Sequence, residues 1–239
     1  MQIRRLAVFS LMVLAVSALG RAQSTVTAHV VLPTQGKKTK SLDASNAVIW
    51  LTPIDNTVLP SRDPNAPKPR LVQRNKSFEP HILVVPVGAQ VEFPNRDPFF
   101  HNVFSLFEGK RFDLGLYEAG STRDVLFDKP GISYIFCNIH AEMSAVVIAI
   151  NTPYYGISDR KGQIVVQNVA AGRYILHTWH EAAMPETLNG MTREVNISDS
   201  TSTLGMLRLP ALVPPQAHKN MYGRDYTPPA PGTPAYEHP

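Results

Sequence analysis

Two runs rich in β-branched and aromatic residues, Ile132–Phe136 and Ala145–Ile150, flank a short polar stretch, and the only cysteine, Cys137, closes the first of them. Runs of this composition read as strands. The connection is Cys137-Asn138-Ile139-His140-Ala141-Glu142-Met143, that is Cys-x2-His-x2-Met. A thiol, an imidazole and a thioether are thereby tied to one loop between two strands. Elsewhere short β-patterns alternate with turns at Gly88, Asn95–Pro98, Asp128–Gly131 and Asp159–Gly162. No long amphipathic helix stands out. The expected fold class is all-β, built of sandwiches.

A lone cysteine is usually a small buried hydrophobe, but here a soft donor set surrounds it. A thiolate with two imidazoles in a trigonal array, plus a weak axial thioether, is the ligand set of a blue-copper centre. The loop supplies three of these ligands. The missing imidazole is expected from His101, in Phe99-Phe100-His101-Asn102-Val103 after another strand pattern. Zinc is the rival metal, yet structural zinc sites favour several cysteines or Cys/His pairs. A Cys-His nucleophile pair leaves Met143 unexplained.

On these residues the stretch from about Arg70 to Asn151 resembles the cupredoxins, and the loop spacing is similar to that of amicyanin. The resemblance implies a Greek-key sandwich with one type 1 copper. It assigns His101, Cys137 and His140 to the trigonal set and Met143 to the axial position. It also implies that Asn102 ties the two ligand-bearing loops together, since such partners orient the ligands. Phe99, Phe100, Phe104 and Phe136 would keep water from the metal or serve as ordinary core. The departure is Ala141-Glu142, where amicyanin-like loops carry Pro and an apolar residue; Glu142 would put a carboxylate beside His140.

Arg4 and Arg5, the apolar run Leu6–Leu19 and the small residues Gly20 and Ala22 have the form of a secretory signal cut before Gln23. The apolar run is short for a membrane span, which needs about 20 residues. Loss of residues 1–22 removes Arg4, Arg5 and Arg21 and leaves 20 basic against 19 acidic side chains. The charge balance therefore gives no reason to expect nucleic-acid binding. A single cysteine forms no internal disulfide, and an exported free thiol needs burial or a metal to protect it.

The flanks of the copper region read differently. Val26–Leu32 and Ala47–Leu51 are strand patterns, as are Gln163–Val166 and Arg173–Trp179. Together they resemble the opening and closing halves of a carboxypeptidase-regulatory, transthyretin-like sandwich. The expected organisation is a cupredoxin domain over 70–152 inserted between 25–60 and 153–210, followed by an extended or disordered Pro-rich tail over 211–239. A contiguous arrangement with a small C-terminal β-domain is the alternative. His218 and His238 in the tail read as solvated, and His81 as packing. His177 and His180 are three apart and so face opposite sides of a continuing strand. Asn196-Ile197-Ser198 matches a glycosylation sequon.

The functional expectation is a periplasmic or secreted monomeric electron carrier, working between a dehydrogenase-type donor and a cytochrome-type acceptor. It is expected to have no catalysis of its own, because the chain has no His-x-His pair of the kind multicopper enzymes need. Copper handling or storage, and a β-sandwich interaction module with a secondary copper site, are the alternatives.

Overall fold

The structure, a computed structural model, describes residues 23–33, 43–55, 59–60, 63, 65–106, 108–198, 202–209 and 218–226. The expected secretory signal at 1–22 lies outside the described residues, as do 210–217 and 227–239, His238 among them.

The chain begins with β1 (Gln23–Val31) and β2 (Val48–Pro53). Nine strands follow: β3 (Val72–Arg74), β4 (Ser77–Glu79), β5 (Ile82–Pro86), β6 (Ala89–Pro94), β7 (His101–Ser105), β8 (Phe112–Tyr117), β9 (Thr122–Phe127), β10 (Gly131–Cys137) and β11 (Ser144–Ile150). The last part comprises β12 (Tyr155–Ile157), β13 (Gln163–Ala170), β14 (Gly172–Trp179), the short helix α1 (Pro185–Met191), β15 (Arg193–Ile197) and β16 (Ser202–Arg208). The fold is all-β with several packed sheets.

β1 lies between β13 and β16, and β2 lies between β12 and β14, with β15 beyond β14. Among the described residues, the two N-terminal strands thus pair with strands from after residue 150. Between them in sequence sit a five-stranded sheet in the order β5-β11-β10-β7-β8 and the pairs β6-β9 and β3-β4. Val85, Val91, Phe93, Val103, Ile135 and Val147 pack together between these sheets.

β11 explains why Ala145–Ile150 is a continuous apolar run. Its side chains alternate between faces, and both faces are buried. Ala145, Val147 and Ala149 join the core around the site. Val146, Ile148 and Ile150, with Ile82 and Val84 of β5, join a second core with Val26, Leu51 and Leu176. Ile132 and Tyr134 of β10 also pack on this second core. The sandwich formed by the flanks therefore covers the outer face of the five-stranded sheet.

Two strands that carry little sequence signal are β8 and β9, whose residues are mostly exposed or half-buried. The connection between the Gln163–Val166 and Arg173–Trp179 patterns is also tighter than the sequence indicates, since β13 runs to Ala170 and β14 starts at Gly172. In the Pro-rich tail, residues 218–226 are docked on the end of β10. His218 stacks on Phe136 with ring centroids 4.1 Å apart, so the expectation of a solvated side chain is corrected. The cause is the apolar face of Phe136, which the imidazole covers.

Candidate metal centre

The site is assembled by one strand pairing and one loop. β10 runs antiparallel to β7, with Cys137 opposite Val103 and Phe136 opposite Phe104. This register brings His101, at the start of β7, beside the end of β10. The loop after Cys137 closes on itself, with Met143 N–H donating to the His140 carbonyl at 3.1 Å and Cys137 N–H to the Met143 carbonyl at 3.3 Å.

Cys137 Sγ then lies 3.6 Å from His101 Nδ1 and 3.7 Å from His140 Nδ1. Among the described residues these three form the group of His, Cys, Asp and Glu side chains whose donor atoms, all within 4.8 Å of one another, could hold a metal ion. Bonds of about 2.0–2.3 Å to nitrogen and sulfur, spread near 120°, place such donors about 3.6 Å apart, so the three fit one ion. His101 and Cys137 are fully buried and His140 is half-buried. Met143 is fully buried in the same core cluster as Cys137.

The tautomer of His101 follows from its other nitrogen. Nε2–H donates to Asp97 Oδ2 at 2.8 Å, which leaves Nδ1 as a lone pair turned to the sulfur. Asp97 is itself held from the β3–β4 turn. Asn75 and Lys76 both have positive φ, 52° and 54°, as a two-residue hairpin turn requires. Their N–H groups donate to the two Asp97 oxygens at 2.6 and 3.0 Å. Burial alone would push this carboxyl up; the Lys76 N–H, His101 and the Asn75 N–H hold it below the usual range. In the sequence Asn95–Pro98 reads only as a turn. The signal available was a carboxylate four residues before a ligand histidine.

Burial sets the remaining protonation states. It pushes the Cys137 thiol up, against the opposing pull of the Ile139, Asn102 and His140 backbone groups. It lowers His101, against the pull of Asp97. It takes His140 down to about 4, helped by Lys76 and by the repulsion a protonated His101 would add, and opposed by Glu142 and Asp97. Both imidazoles are therefore neutral at pH 7, as metal ligation requires, and a bound cation would reverse the thiol's preference.

The flanking residues divide. Phe99 lies against both imidazoles, 5.2 Å from His101 and 5.6 Å from His140 between ring centroids. Phe100 is 48% exposed, while Phe104 and Phe136 pair with each other at 5.9 Å. The two ligand segments are tied through main chain, Asn138 N–H donating to the Asn102 carbonyl at 3.3 Å. The Asn102 side-chain amide turns to Asp113 instead, at 2.7 Å. Glu142 is exposed.

The other histidines lie outside this cluster. His81 is not simple packing: Nδ1 donates to the Ser144 carbonyl at 3.2 Å and Nε2 meets Glu181 Oε2 at 2.6 Å. His177 stacks on Trp50 at 4.9 Å, and His180 Nδ1 accepts the Ala182 N–H at 3.1 Å.

In fold and in ligand pattern the chain resembles a cupredoxin. A purple cupredoxin from Nitrosopumilus maritimus is 21% identical over 35% of this chain and 100% of its own, at a TM-score of 0.32. A variant of amicyanin in its Cu(I) form is 19% identical over 35% of this chain and 82% of its own, at a TM-score of 0.33. A copper-containing nitrite reductase from Thermus scotoductus is 20% identical over 51% of this chain and 28% of its own, at a TM-score of 0.35. No family model matches the chain, and no curated protein sequence does. What the site does chemically follows from its own geometry.

Proposed function

We propose that this chain is an exported mononuclear blue-copper protein that carries electrons. The observation behind the proposal is the buried triangle of Cys137 Sγ with the Nδ1 atoms of His101 and His140, at 3.6 and 3.7 Å. Cys137 would provide the thiolate, His101 and His140 the imidazoles, and Met143, buried in the same core cluster as Cys137, the thioether. A thiolate and a thioether select a soft, copper-type site over magnesium or calcium. When bound, copper supplies a one-electron couple.

The protein residues do the rest. Asp97 fixes His101 in one orientation, so the donor triangle need not rearrange between redox states. Phe99 shields both imidazoles from water. His140 is the ligand nearest solvent and is the natural port for electrons. Exposed Phe100 and Glu142 border the docking face offered to a dehydrogenase-type donor and a cytochrome-type acceptor. Met1–Ala22 would direct export to the periplasm or beyond, with the mature protein monomeric and free of catalysis of its own. The strand pairing supports residues 70–152 as a domain inserted between 25–60 and 153–210, which would form a transthyretin-like sandwich.

The test is addition of copper(II) to the purified mature protein, followed by visible spectroscopy, with Cys137→Ala alongside. An intense thiolate-to-copper band, lost in Cys137→Ala, is the expected outcome. A properly loaded protein without that band overturns the electron-carrier reading.

A further inference from the structure

We propose that residues 218–226 form a clasp that braces the ligand strand from outside, with Tyr226 as a positioning residue for Cys137. The function of the clasp rests on the blue-copper reading; its contacts stand without it.

The period of a strand puts Phe136 on the face opposite Cys137, in line with Ile132 and Tyr134. The flanking sandwich covers Ile132 and Tyr134. Phe136 belongs to neither core cluster, yet only 9% of it is exposed. His218 covers it, with rings 4.1 Å apart and 27° between planes. Tyr226 packs edge-on against His218 at 5.2 Å, and its O–H donates to the Cys137 carbonyl at 2.6 Å. Met221 N–H donates to Asn138 Oδ1 at 2.9 Å. Three successive residues, Phe136, Cys137 and Asn138, thus each take a contact from one short segment. They include the thiolate ligand and lead into the loop that carries His140.

The segment is built to hold this shape. Asn220 Oδ1 accepts the Tyr222 and Arg224 N–H groups, both at 3.0 Å. The Asn220 N–H donates to the Arg224 carbonyl, and the Gly223 N–H to the Asn220 carbonyl, each at 2.9 Å. Gly223 has φ of 74°, where glycine is the cheap residue. Lys219 pairs with Asp225 across the turn. A loop closed on itself loses less freedom on docking than an extended chain does. The segment lies within the Pro-rich tail, whose composition predicts an undocked chain. The clasp therefore works as a brace that limits motion of the Cys137–Met143 loop.

The experiment uses the full mature chain with Tyr226→Phe and His218→Ala, and Tyr222→Phe as control, because Tyr222 lies in the same segment but is 72% exposed. Two quantities are measured once circular dichroism shows native folding. The first is hydrogen exchange of the amides of residues 137–143 in metal-free protein. The second is the rate of copper loss to excess chelator, with the thiolate-to-copper band recorded alongside. Tyr226→Phe keeps the ring and removes the hydroxyl that meets the Cys137 carbonyl at 2.6 Å and His218 Nδ1 at 3.3 Å, so both rates should rise about fivefold. His218→Ala should raise both further and shift the band, while Tyr222→Phe should leave all three unchanged. Unchanged exchange and release in both clasp variants, or an equal effect from Tyr222→Phe, overturns the proposal. If the intact protein forms no thiolate band, the electron-carrier reading falls, and exchange decides the clasp alone: faster exchange supports the brace and unchanged exchange rejects it.

Discussion

The Asp97 carboxylate, held by two N–H groups of a hairpin turn and facing a buried imidazole, is the residue that sets His101 in place. Partners of this kind tune affinity as well as orientation. Asp97→Asn keeps the shape and removes the charge, and it is expected to weaken copper binding by about 10- to 100-fold, measured by competition with a chelator of known affinity. An unchanged affinity would mean that the Asn75–Lys76 turn alone holds the site. The residues of the ligand loop were legible because Cys137, His140 and Met143 are three apart on one connection. Asp97 was less legible: it stands four residues before His101, but that spacing alone does not separate a carboxylate aimed at a buried histidine from one capping a turn. Asn102 was legible as a neighbour of the site, but which of its groups makes the tie depends on register.

At the level of the element, β11 carries most of the architecture. Its Ala145, Val147 and Ala149 fill the core behind the site, and Val146, Ile148 and Ile150 fill the core against the other sandwich. Removing the Ile148 side chain beyond Cβ opens a cavity where two sandwiches meet. Ile148→Ala is expected to cost about 2–5 kcal/mol, read as a loss of urea-unfolding free energy, with both sandwiches unfolding together. A separate early transition confined to one sandwich would contradict the shared core. The continuous apolar run of β11 signalled burial on both faces, whereas β8 and β9 gave no such signal because their exposed side chains leave no period to read.

Across the whole molecule, the His81–Glu181 contact joins the site-bearing sheet to the chain beyond β14. Acceptors face both ring nitrogens, the Ser144 carbonyl and the Glu181 carboxylate, so the doubly protonated imidazolium fits best. Its pKa is raised above 6.5, chiefly by the Glu181 hydrogen bond and against the effect of burial. A raised folded-state value adds stability that is fully present below about 6.5 and is lost as pH climbs through the folded-state pKa. Glu181→Gln should therefore lower the Tm at pH 5.5 and change it much less at pH 9. The gap should be modest, since a partly exposed pair contributes about 1 kcal/mol or less. A gap that is equal at both pH values would show that the contact does not act through charge.

The sequence by itself carried the all-β class, a soft Cys-x2-His-x2-Met donor set between two strands, and His101 as the candidate imidazole to complete it. These rest on local spacing and on alternation along single strands, which short-range sterics impose. Only the tertiary structure decided that Asp97 orients His101, that His81 reaches Glu181, and that the Pro-rich tail returns to cover Phe136. Each of these joins residues distant along the chain or turns on which way a side chain points. Burial of an aromatic face or a paired charge selects them, and neither leaves a period in the sequence.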